Sequence, residues 1–224
     1  MTLSVEPAAI ADDPWTRPEW DRAALLTIDT QVDFVEGGAS PIYGTAAVIP
    51  AVAGLAEAFR RAGRPIVHVI RLYRGEDVDL PRRSLLDGGA PIVRPGSAGA
   101  AIVPALLPPD APDLDAEALL GGAFQALGPG EWAMWKPRWG AFHRTGLEAF
   151  LRELGVSTVV IAGCNFPNCP RAAVIGASER DFRVVVAADA ISGVDERHLA
   201  EAARLGAGHA PARVIAGSIS ILSV

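Results

Sequence analysis

The sequence has few of the residues that would indicate a membrane, nucleic-acid or extracellular role. Its two cysteines, Cys164 and Cys169, are too close to staple a fold and too few for a zinc cluster, which leaves free thiols or a local redox pair. No apolar run reaches the ~18 residues of a membrane span, and the acids and prolines near the N-terminus do not resemble a signal peptide. The net charge is −6, without any Lys/Arg-rich block. We therefore expect a cytoplasmic protein that binds a neutral or cationic small molecule, with neither a nucleic-acid nor a membrane partner.

Lysine is nearly absent as well. Of the 20 basic residues, only Lys136 is a lysine and the rest are arginines. An ammonium group can lie in a tight pocket and exchange a proton, whereas a guanidinium stays charged. Lys136 is therefore a candidate site residue. The alternative is that a single lysine has been retained by chance in a genome that favours arginine.

Signals for cofactors are also missing. No G-x-G-x-x-G follows the first predicted strand, which disfavours a dinucleotide-binding fold. The chain lacks a cluster of His, Cys and carboxylate residues at metal-ligand spacing, so we expect neither a metal nor another cofactor. We interpret His68 as a core histidine, because its neighbours are apolar.

Short apolar strands alternate with helical segments, and this predicts a single α/β domain over residues 1–224. A mostly parallel sheet with helices on both faces follows from that alternation. The strands are expected at Ala23–Asp29, Pro65–Arg71, Glu131–Lys136, Val156–Ala162, Arg183–Ala188 and finally in Arg213–Ala216 or Ser218–Leu222, and the main helices at Ala46–Ala62, Ala141–Leu154, Arg171–Arg180 and Val194–Leu205.

Two segments lie outside this alternation. Residues 1–20 lack periodicity and are expected to form an N-terminal arm packed on the domain. Residues 72–130 are rich in Pro, Gly and Asp, with helical islands at Ala98–Leu107 and near Asp115–Leu120. Long weakly patterned segments in compact domains are often lids or oligomer contacts, so we expect a lid or contact insertion and a homo-oligomer, either dimer or tetramer.

Three reactive side chains end or follow predicted strands: Asp29, Lys136 and Cys169. The carboxyl ends of parallel strands open on one edge of a sheet, so these side chains should meet there. Cys169 also precedes Pro170 at a predicted helix start, where the helix dipole and free N–H groups favour a thiolate. A buried cysteine acting as a small hydrophobe is the alternative.

The chemistry of this trio is that of a nucleophile with its partners. A carboxylate can take the proton of the thiol, and an ammonium can lower the pKa of either group. Backbone N–H groups of the turn before Cys169 could hold an oxyanion. From the residues alone we predict a thiol hydrolase acting on a small carbonyl compound.

Three motifs resemble those of the isochorismatase-like cysteine hydrolases. Asp29–Phe34 (DTQVDF) is similar to the family's D-x-Q-x-D-F, Lys136 with the following Trp139–Phe142 to K-x-x-x-S-A-F, and Gly163–Cys169 to G-x-x-T-x-x-C. The resemblance implies a doubly wound three-layer α/β/α fold with a six-stranded parallel sheet in the order 3-2-1-4-5-6. It also implies an Asp29, Lys136 and Cys169 catalytic triad that forms a thioester-type acyl-enzyme.

The resemblance further implies a cis peptide bond between Cys164 and Asn165, which would turn the N–H of Asn165 toward the substrate. That N–H and the N–H of Cys169 would form the oxyanion hole. The Asp-x-His metal motif of the family's nicotinamidases is missing here, so the resemblance implies no metal and disfavours nicotinamide as the substrate.

The expected substrate is a small amide, ureide or lactam, and its bond to be cleaved is C–N. The residues expected to contact it are Gln31, Phe34, Arg71, Tyr73, Trp139 and Phe166. Arg74, Arg82 and Arg83 are weaker candidates, and the last two fit a solvated basic loop as well. The acids Glu36, Asp77 and Asp79 could meet a cationic group or be solvated surface.

Several functions remain open at this point. The segment GCNFPNCPR looks like that of streptothricin hydrolases, which open the lactam of a cationic antibiotic. An N-carbamoyl or ureido amidohydrolase is the alternative within the enzymes. From other classes, Cys164 and Cys169 could form a thiol–disulfide redox pair, or the protein could be a catalytically silent binding protein.

Overall fold

The structure is a computed structural model that describes residue 10 and residues 12–220. Most of the predicted N-terminal arm, at residues 1–9 and 11, lies outside the described residues, as does the end of the chain at 221–224. No helix among the described residues is both long enough and apolar enough to cross a membrane.

A seven-stranded sheet forms the centre of the fold. Its strands are β1 Ala23–Ile28, β2 Ile66–Ile70, β3 Phe124–Gly128, β4 Glu131–Trp135, β5 Thr158–Gly163, β6 Arg183–Ile191 and β7 Gly208–Ala210. They lie in the order β3-β4-β2-β1-β5-β6-β7. Every neighbouring pair is parallel except β3 and β4, which form an antiparallel hairpin at one edge.

The prediction of six strands is therefore one strand short. Without the edge strand β3, the parallel strands taken in chain order follow the predicted order 3-2-1-4-5-6. Strand β3 was missed because it pairs by a tight hairpin with β4, and its own residues are mostly only half-buried. A half-exposed edge strand has a weaker apolar pattern than a strand buried on both faces.

Helices cover both faces of the sheet. They are α1 Thr45–Arg61, α2 Leu80–Asp87, α3 Ala116–Leu120, α4 Leu147–Glu153, α5 Cys169–Ser178, α6 Glu196–Arg204 and α7 Ala212–Ser220. In β1, Leu25 packs into the apolar cluster under α1 and α7, while Leu26 packs into the cluster under α4, α5 and α6. Successive strand residues point to opposite faces, so a strand apolar at both positions joins two cores in a three-layer α/β/α structure.

The prediction of a final strand near 213–222 is wrong for the residues described. Residues 212–220 form α7, while the last strand is the three-residue β7 just before it. Ile215 and Ile219 are both fully buried, and their spacing of four places them on one helix face. β-branched residues favour strands only weakly, and here burial of that helix face outweighs the preference.

The segment 72–130 is tied to the domain by the loop after β1. It contains α2, short 3₁₀ turns at Ala98–Ala100 and Pro104–Leu106, α3 and β3. The carboxylate of Asp33 accepts hydrogen bonds from the N–H of Val93 at 2.6 Å and from the N–H of Ala39 at 3.1 Å. A Cβ at Gly99 would lie 2.0 Å from Asp33 Oδ1, so the insertion packs directly on this carboxylate.

A buried polar network joins the sheet to α1. His68 in β2 pairs its Nδ1 with the hydroxyl of Thr27 and its Nε2 with Glu131, both at 2.7 Å. Glu131 also accepts two hydrogen bonds from the guanidinium of Arg60, at 2.6 and 2.7 Å. Both ring nitrogens of His68 are thus used inside the core, which confirms it as a core histidine.

Removing the charge of Glu131 should destabilise the fold in a pH-dependent way. Burial alone would raise the pKa of Glu131, but hydrogen bonds and charge from Arg60 and His68 outweigh burial and lower it. We expect Glu131→Gln to lose about 3 kcal/mol of unfolding free energy at pH 7, because the half-buried guanidinium of Arg60 loses the carboxylate that it pairs with. The lowered pKa makes this stabilisation complete above the unfolded pKa of about 4.3 and lost as the pH falls toward the folded pKa.

Urea unfolding of both proteins between pH 3.5 and 7 would measure this difference. The gap between wild type and Glu131→Gln should narrow only below about pH 4.3. Glu57→Gln is the matched control, since Glu57 pairs with Arg61 on the exposed face of α1 and should change stability by no more than about 0.5 kcal/mol. A gap as small as that of the control at pH 7 would contradict the prediction.

Candidate active site

The carboxyl edge of the sheet brings together two of the predicted residues as a direct ion pair. Asp29 follows β1 and Lys136 follows β4, and Lys136 Nζ donates to Asp29 Oδ2 at 2.9 Å. Lys136 is 0% exposed and Asp29 is 4% exposed. Between them lies β2, whose Ile70 carbonyl accepts from the Lys136 N–H at 3.0 Å. The ammonium thus reaches across one strand to the carboxylate.

Asp29 is held in an unusual backbone conformation. Its φ is +51°, in the left-handed region that non-glycine residues rarely adopt. Its N–H donates to the carbonyl of Val69 at 2.9 Å, which ties the turn to β2. Such strain, of order 1–3 kcal/mol, tends to occur at functional sites. Asp29 Oδ1 is buried and has no hydrogen-bond partner among the described residues, so one oxygen remains ready to accept a proton.

Cys169 is the first residue of α5 and lines a cavity together with Asp29. The cavity volume is about 120 Å³. Burial raises the pKa of the Cys169 thiol to about 12; the charge of Asp29 raises it further, while Lys136 and Arg71 oppose the rise. This direction runs against the expected resting thiolate. Desolvation favours the neutral thiol, so a base is needed to remove its proton during attack.

The turn between β5 and α5 departs from the predicted backbone. Every peptide bond among the described residues is trans, so the predicted cis bond between Cys164 and Asn165 is wrong. A trans bond avoids the cost of about 3–4 kcal/mol for a cis bond before a residue other than proline. The chain turns at Gly163 instead, where φ is +117° and a Cβ would lie 2.2 Å from the carbonyl oxygen of Ile28.

Both predicted oxyanion-hole residues reach the cavity. Asn165 and Cys169 line it, as do Cys164 and Asn168. The N–H of Cys169 belongs to the first turn of α5, where backbone N–H groups lack intrahelical acceptors. Cys164 itself is 1% exposed, and its sulfur accepts a hydrogen bond from the Thr45 hydroxyl at 3.2 Å. Both cysteines are free thiols.

Three of the residues expected to contact a substrate line the cavity: Phe34, Tyr73 and Trp139. Trp139 is 42% exposed, so it lies at the mouth. Tyr73 is almost fully buried, and burial raises the pKa of its hydroxyl despite the nearby charge of Arg71, so the hydroxyl is neutral at physiological pH.

The other three do not line the cavity, because their polar or aromatic groups are used elsewhere. The side-chain amide of Gln31 donates to the carbonyls of Arg71 and Ala100 and accepts from the N–H of Arg71, at 2.7 to 2.8 Å. Phe166 packs in the core, with its ring 5.2 Å from that of His198. The buried guanidinium of Arg71 pairs with Asp79 and lies 4.9 Å from the centre of the Tyr73 ring.

Several cavity residues were missed or only weakly indicated by the sequence. They are Ile42, Asp79, Pro81, Arg82 and Asn168. Three of these belong to the start of α2, which has no buried residue and hence no apolar stripe to find. The usable signal was Pro81 in the first turn after an acid, a common helix start. Within the described residues, no group of three or more His, Cys, Asp or Glu side chains is placed to hold a metal ion.

Comparison with known proteins places the chain among the isochorismatases and related amidohydrolases that it resembles. The family model for the isochorismatase domain matches residues 23–215. Over 177 residues the chain is 33% identical to the "probable inactive nicotinamidase" of Arabidopsis thaliana, covering 76% of this chain and 81% of that protein. Over 186 residues it is 30% identical to the maleamate amidohydrolase of Pseudomonas putida, covering 79% and 74%.

A solved structure gives the same result for the fold. The isochorismatase family protein from Desulfovibrio vulgaris is 30% identical, with a TM-score of 0.75 over 89% of this chain and 98% of that one. The N-carbamoylsarcosine amidase from Thermoplasma acidophilum, at 22% identity and a TM-score of 0.68, covers 85% of this chain and 96% of its own and has the same fold. With its strand order, its strand-end residues and these likenesses, the chain belongs to the isochorismatase family.

Proposed function

We propose that the protein is a cysteine-dependent hydrolase that cleaves the C–N bond of a small amide through Cys169, Asp29 and Lys136. The proposal rests on the different surroundings of the two carboxylate oxygens of Asp29. Lys136 Nζ donates to Asp29 Oδ2, whereas Asp29 Oδ1 is buried and has no hydrogen-bond partner among the described residues. Asp29 and the Cys169 thiol line the same cavity. A base with one fixed and one free oxygen suits proton transfer.

The first half of the reaction forms a thioester. Since the thiol pKa is about 12, Asp29 Oδ1 takes the thiol proton as the sulfur attacks the carbonyl carbon. The carbonyl oxygen becomes an oxyanion that the N–H of Cys169, in the first turn of α5, can stabilise. Collapse of this intermediate breaks the C–N bond, and protonated Asp29 gives its proton to the leaving nitrogen.

The second half regenerates the enzyme. Water attacks the thioester while Asp29 accepts one of its protons, and the carboxylic acid leaves as the proton returns to the sulfur of Cys169. Throughout, Lys136 keeps a positive charge beside Asp29, which stabilises the carboxylate between proton transfers. No metal or organic cofactor is needed for any step.

The size of the cavity favours a small substrate. A volume of about 120 Å³ suits a compact amide or ureide. The larger lactam of streptothricin would have to extend past Trp139 at the mouth, so we rank lactam opening below amide hydrolysis. Two similar proteins are named for comparable reactions, the maleamate amidohydrolase for hydrolysis of an amide and the N-carbamoylsarcosine amidase for hydrolysis of a carbamoyl group.

A panel of primary amides, N-carbamoyl amino acids and lactams would test the proposal. Amide hydrolysis releases ammonia alone, carbamoyl hydrolysis releases ammonia with carbon dioxide, and lactam opening releases neither. Acid quench during turnover should trap an acyl group on Cys169, visible as a mass increase. Undiminished hydrolysis by Cys169→Ser would overturn the proposal.

The triad partners should each contribute a large factor to the rate. Asp29→Asn cannot accept the thiol proton, and Lys136→Arg places a bulkier planar cation in a fully buried site. We expect each variant to lose at least about two orders of magnitude in kcat, as for other general acid–base partners. Asp12→Asn is the matched control, because Asp12 is exposed and pairs with Arg17 on the surface. If Lys136→Arg keeps more than half of the rate, Lys136 is not a specific partner.

The alkylation rate of Cys169 should report its raised pKa. Below a pKa of about 12 the thiolate fraction grows tenfold for each pH unit, so the rate of labelling by iodoacetamide should rise about tenfold per unit between pH 7 and 10. Fragment-ion mass spectrometry distinguishes Cys169 from Cys164, which share one tryptic peptide. A rate that levels off near pH 7 would show a resting thiolate instead.

Trp139 should contribute to binding and little to the chemical step. Its ring lies at the mouth of the cavity, where it contacts substrate in ground state and transition state alike. We expect Trp139→Ala to raise KM about tenfold with a smaller change in kcat. Trp15→Ala, which removes an 83% exposed ring outside the cavity, should leave both constants unchanged. An unchanged kcat/KM in Trp139→Ala would contradict the role.

A further inference from the structure

The charges around the cavity come from three elements and can be paired one by one. Asp29, Asp79 and Arg82 line the cavity, and Lys136 and Arg71 lie buried behind it. Lys136 neutralises Asp29 at 2.9 Å. Arg71 neutralises Asp79 through a direct hydrogen-bonded ion pair. Both acids of the cavity are therefore matched by a buried cation.

Arg82 is left without an acidic partner among the described residues. It lies in the first turn of α2, is half-buried, and donates a hydrogen bond to the neutral hydroxyl of Ser40 at 2.9 Å. The next residue, Arg83, has the same charge but does not line the cavity, and it donates to the backbone carbonyl of Glu76 at 3.1 Å. The cavity wall thus carries one unbalanced positive charge, at Arg82.

The acids that could have met a cationic substrate are used elsewhere. Asp77 Oδ1 lies 3.5 Å from Arg138 Nη1 and 3.7 Å from Arg144 Nη2, in two ion pairs. Asp79 is held by Arg71. Glu36 lines a separate groove next to Ile42 rather than the cavity itself. A cationic group would therefore meet Arg82 without a free carboxylate to offset it.

We infer that the substrate carries a carboxylate in addition to its scissile amide, and that Arg82 binds this carboxylate while the amide carbonyl meets Cys169. This inference rests on the proposed hydrolase function. A guanidinium presents two parallel N–H donors to a carboxylate, which fixes orientation as well as charge. Arg82 and Cys169 line the same cavity of about 120 Å³, a size that suits a short ω-amide of a dicarboxylic acid.

Alkylation with two matched reagents tests the charge preference without turnover. Iodoacetate and iodoacetamide react at the same carbon with the same leaving group but differ in one negative charge. For Cys169 we expect the ratio of the iodoacetate rate to the iodoacetamide rate to exceed that of 2-mercaptoethanol about tenfold. Arg82→Gln should lose most of this excess, on the scale of one charge-assisted hydrogen bond, and Arg82→Lys should keep part of it.

Arg83→Gln is the matched control, one position along the same helix and outside the cavity. Its rate ratio should equal that of the wild type. Equal ratios in wild type and Arg82→Gln would overturn the inference, and so would a wild-type ratio no higher than that of 2-mercaptoethanol. The thermal unfolding midpoints of the variants verify that the comparison concerns folded proteins, and the wild-type ratio needs no variant at all.

Turnover supplies a second readout. Ammonia release is measured with succinamate, with the uncharged pentanamide and with the cationic 4-aminobutanamide, which have similar lengths. We expect kcat/KM to fall in that order, and Arg82→Gln to lower it about 10- to 100-fold for succinamate, mainly through KM, but less than threefold for pentanamide. Equal losses for both amides, or a preference for the cationic amide, would overturn the role of Arg82.

The two hypotheses fail in different ways. If the proposed function is wrong, either the wild type hydrolyses none of the amides or Cys169→Ser hydrolyses them as fast, while the alkylation ratio still reports the charge at Arg82. If only the carboxylate preference is wrong, hydrolysis still depends on Cys169, and both the alkylation ratio and the substrate ranking are unchanged by Arg82→Gln.

Discussion

The ion pair between Lys136 and Asp29 is the contact on which the candidate site depends. Moving an ammonium and a carboxylate out of water has a high free-energy cost, and their mutual attraction offsets it only when the geometry is good. Here the two atoms are 2.9 Å apart and the lysine is fully buried. Such a pair adds little to stability, but either charge left alone would be strongly destabilising. Its retention in the core is therefore better explained by chemistry than by folding.

The sheet makes this pair by topology. Strands β1 and β4 are not neighbours, because β2 lies between them, yet their carboxyl ends reach the same edge. A long lysine side chain can span one strand. Strands β1 and β5 pair directly, which brings Asp29 next to the turn that leads to Cys169. The loop after β1 adds a second constraint. Gln31 donates to the carbonyls of Arg71 and Ala100, and Asp33 accepts from the N–H of Val93, so the segment just after Asp29 holds the insertion in place.

The sequence was informative where local pattern and function coincide. Asp29, Lys136 and Cys169 could be found because each follows an apolar run, and parallel strands converge at one edge. Strand β7, with three residues, and helix α2, without a buried face, have too little pattern to be recognised. The position of Gln31 depends on which carbonyls lie near it, and the pKa of Cys169 depends on how tightly its walls pack. Both are properties of tertiary structure that no spacing in the sequence contains.

The protonated state of Cys169 affects how the protein tolerates its surroundings. Oxidants and stray electrophiles attack thiolates far faster than thiols, and the first step of cysteine oxidation begins from the thiolate. Burial raises the pKa of the Cys169 thiol, which lowers its thiolate fraction at neutral pH. In the proposed reaction, its reactivity arises only when a carbonyl group is in place and Asp29 can remove the proton during attack. The same burial that makes Cys169 a poor free nucleophile thus protects it from irreversible damage.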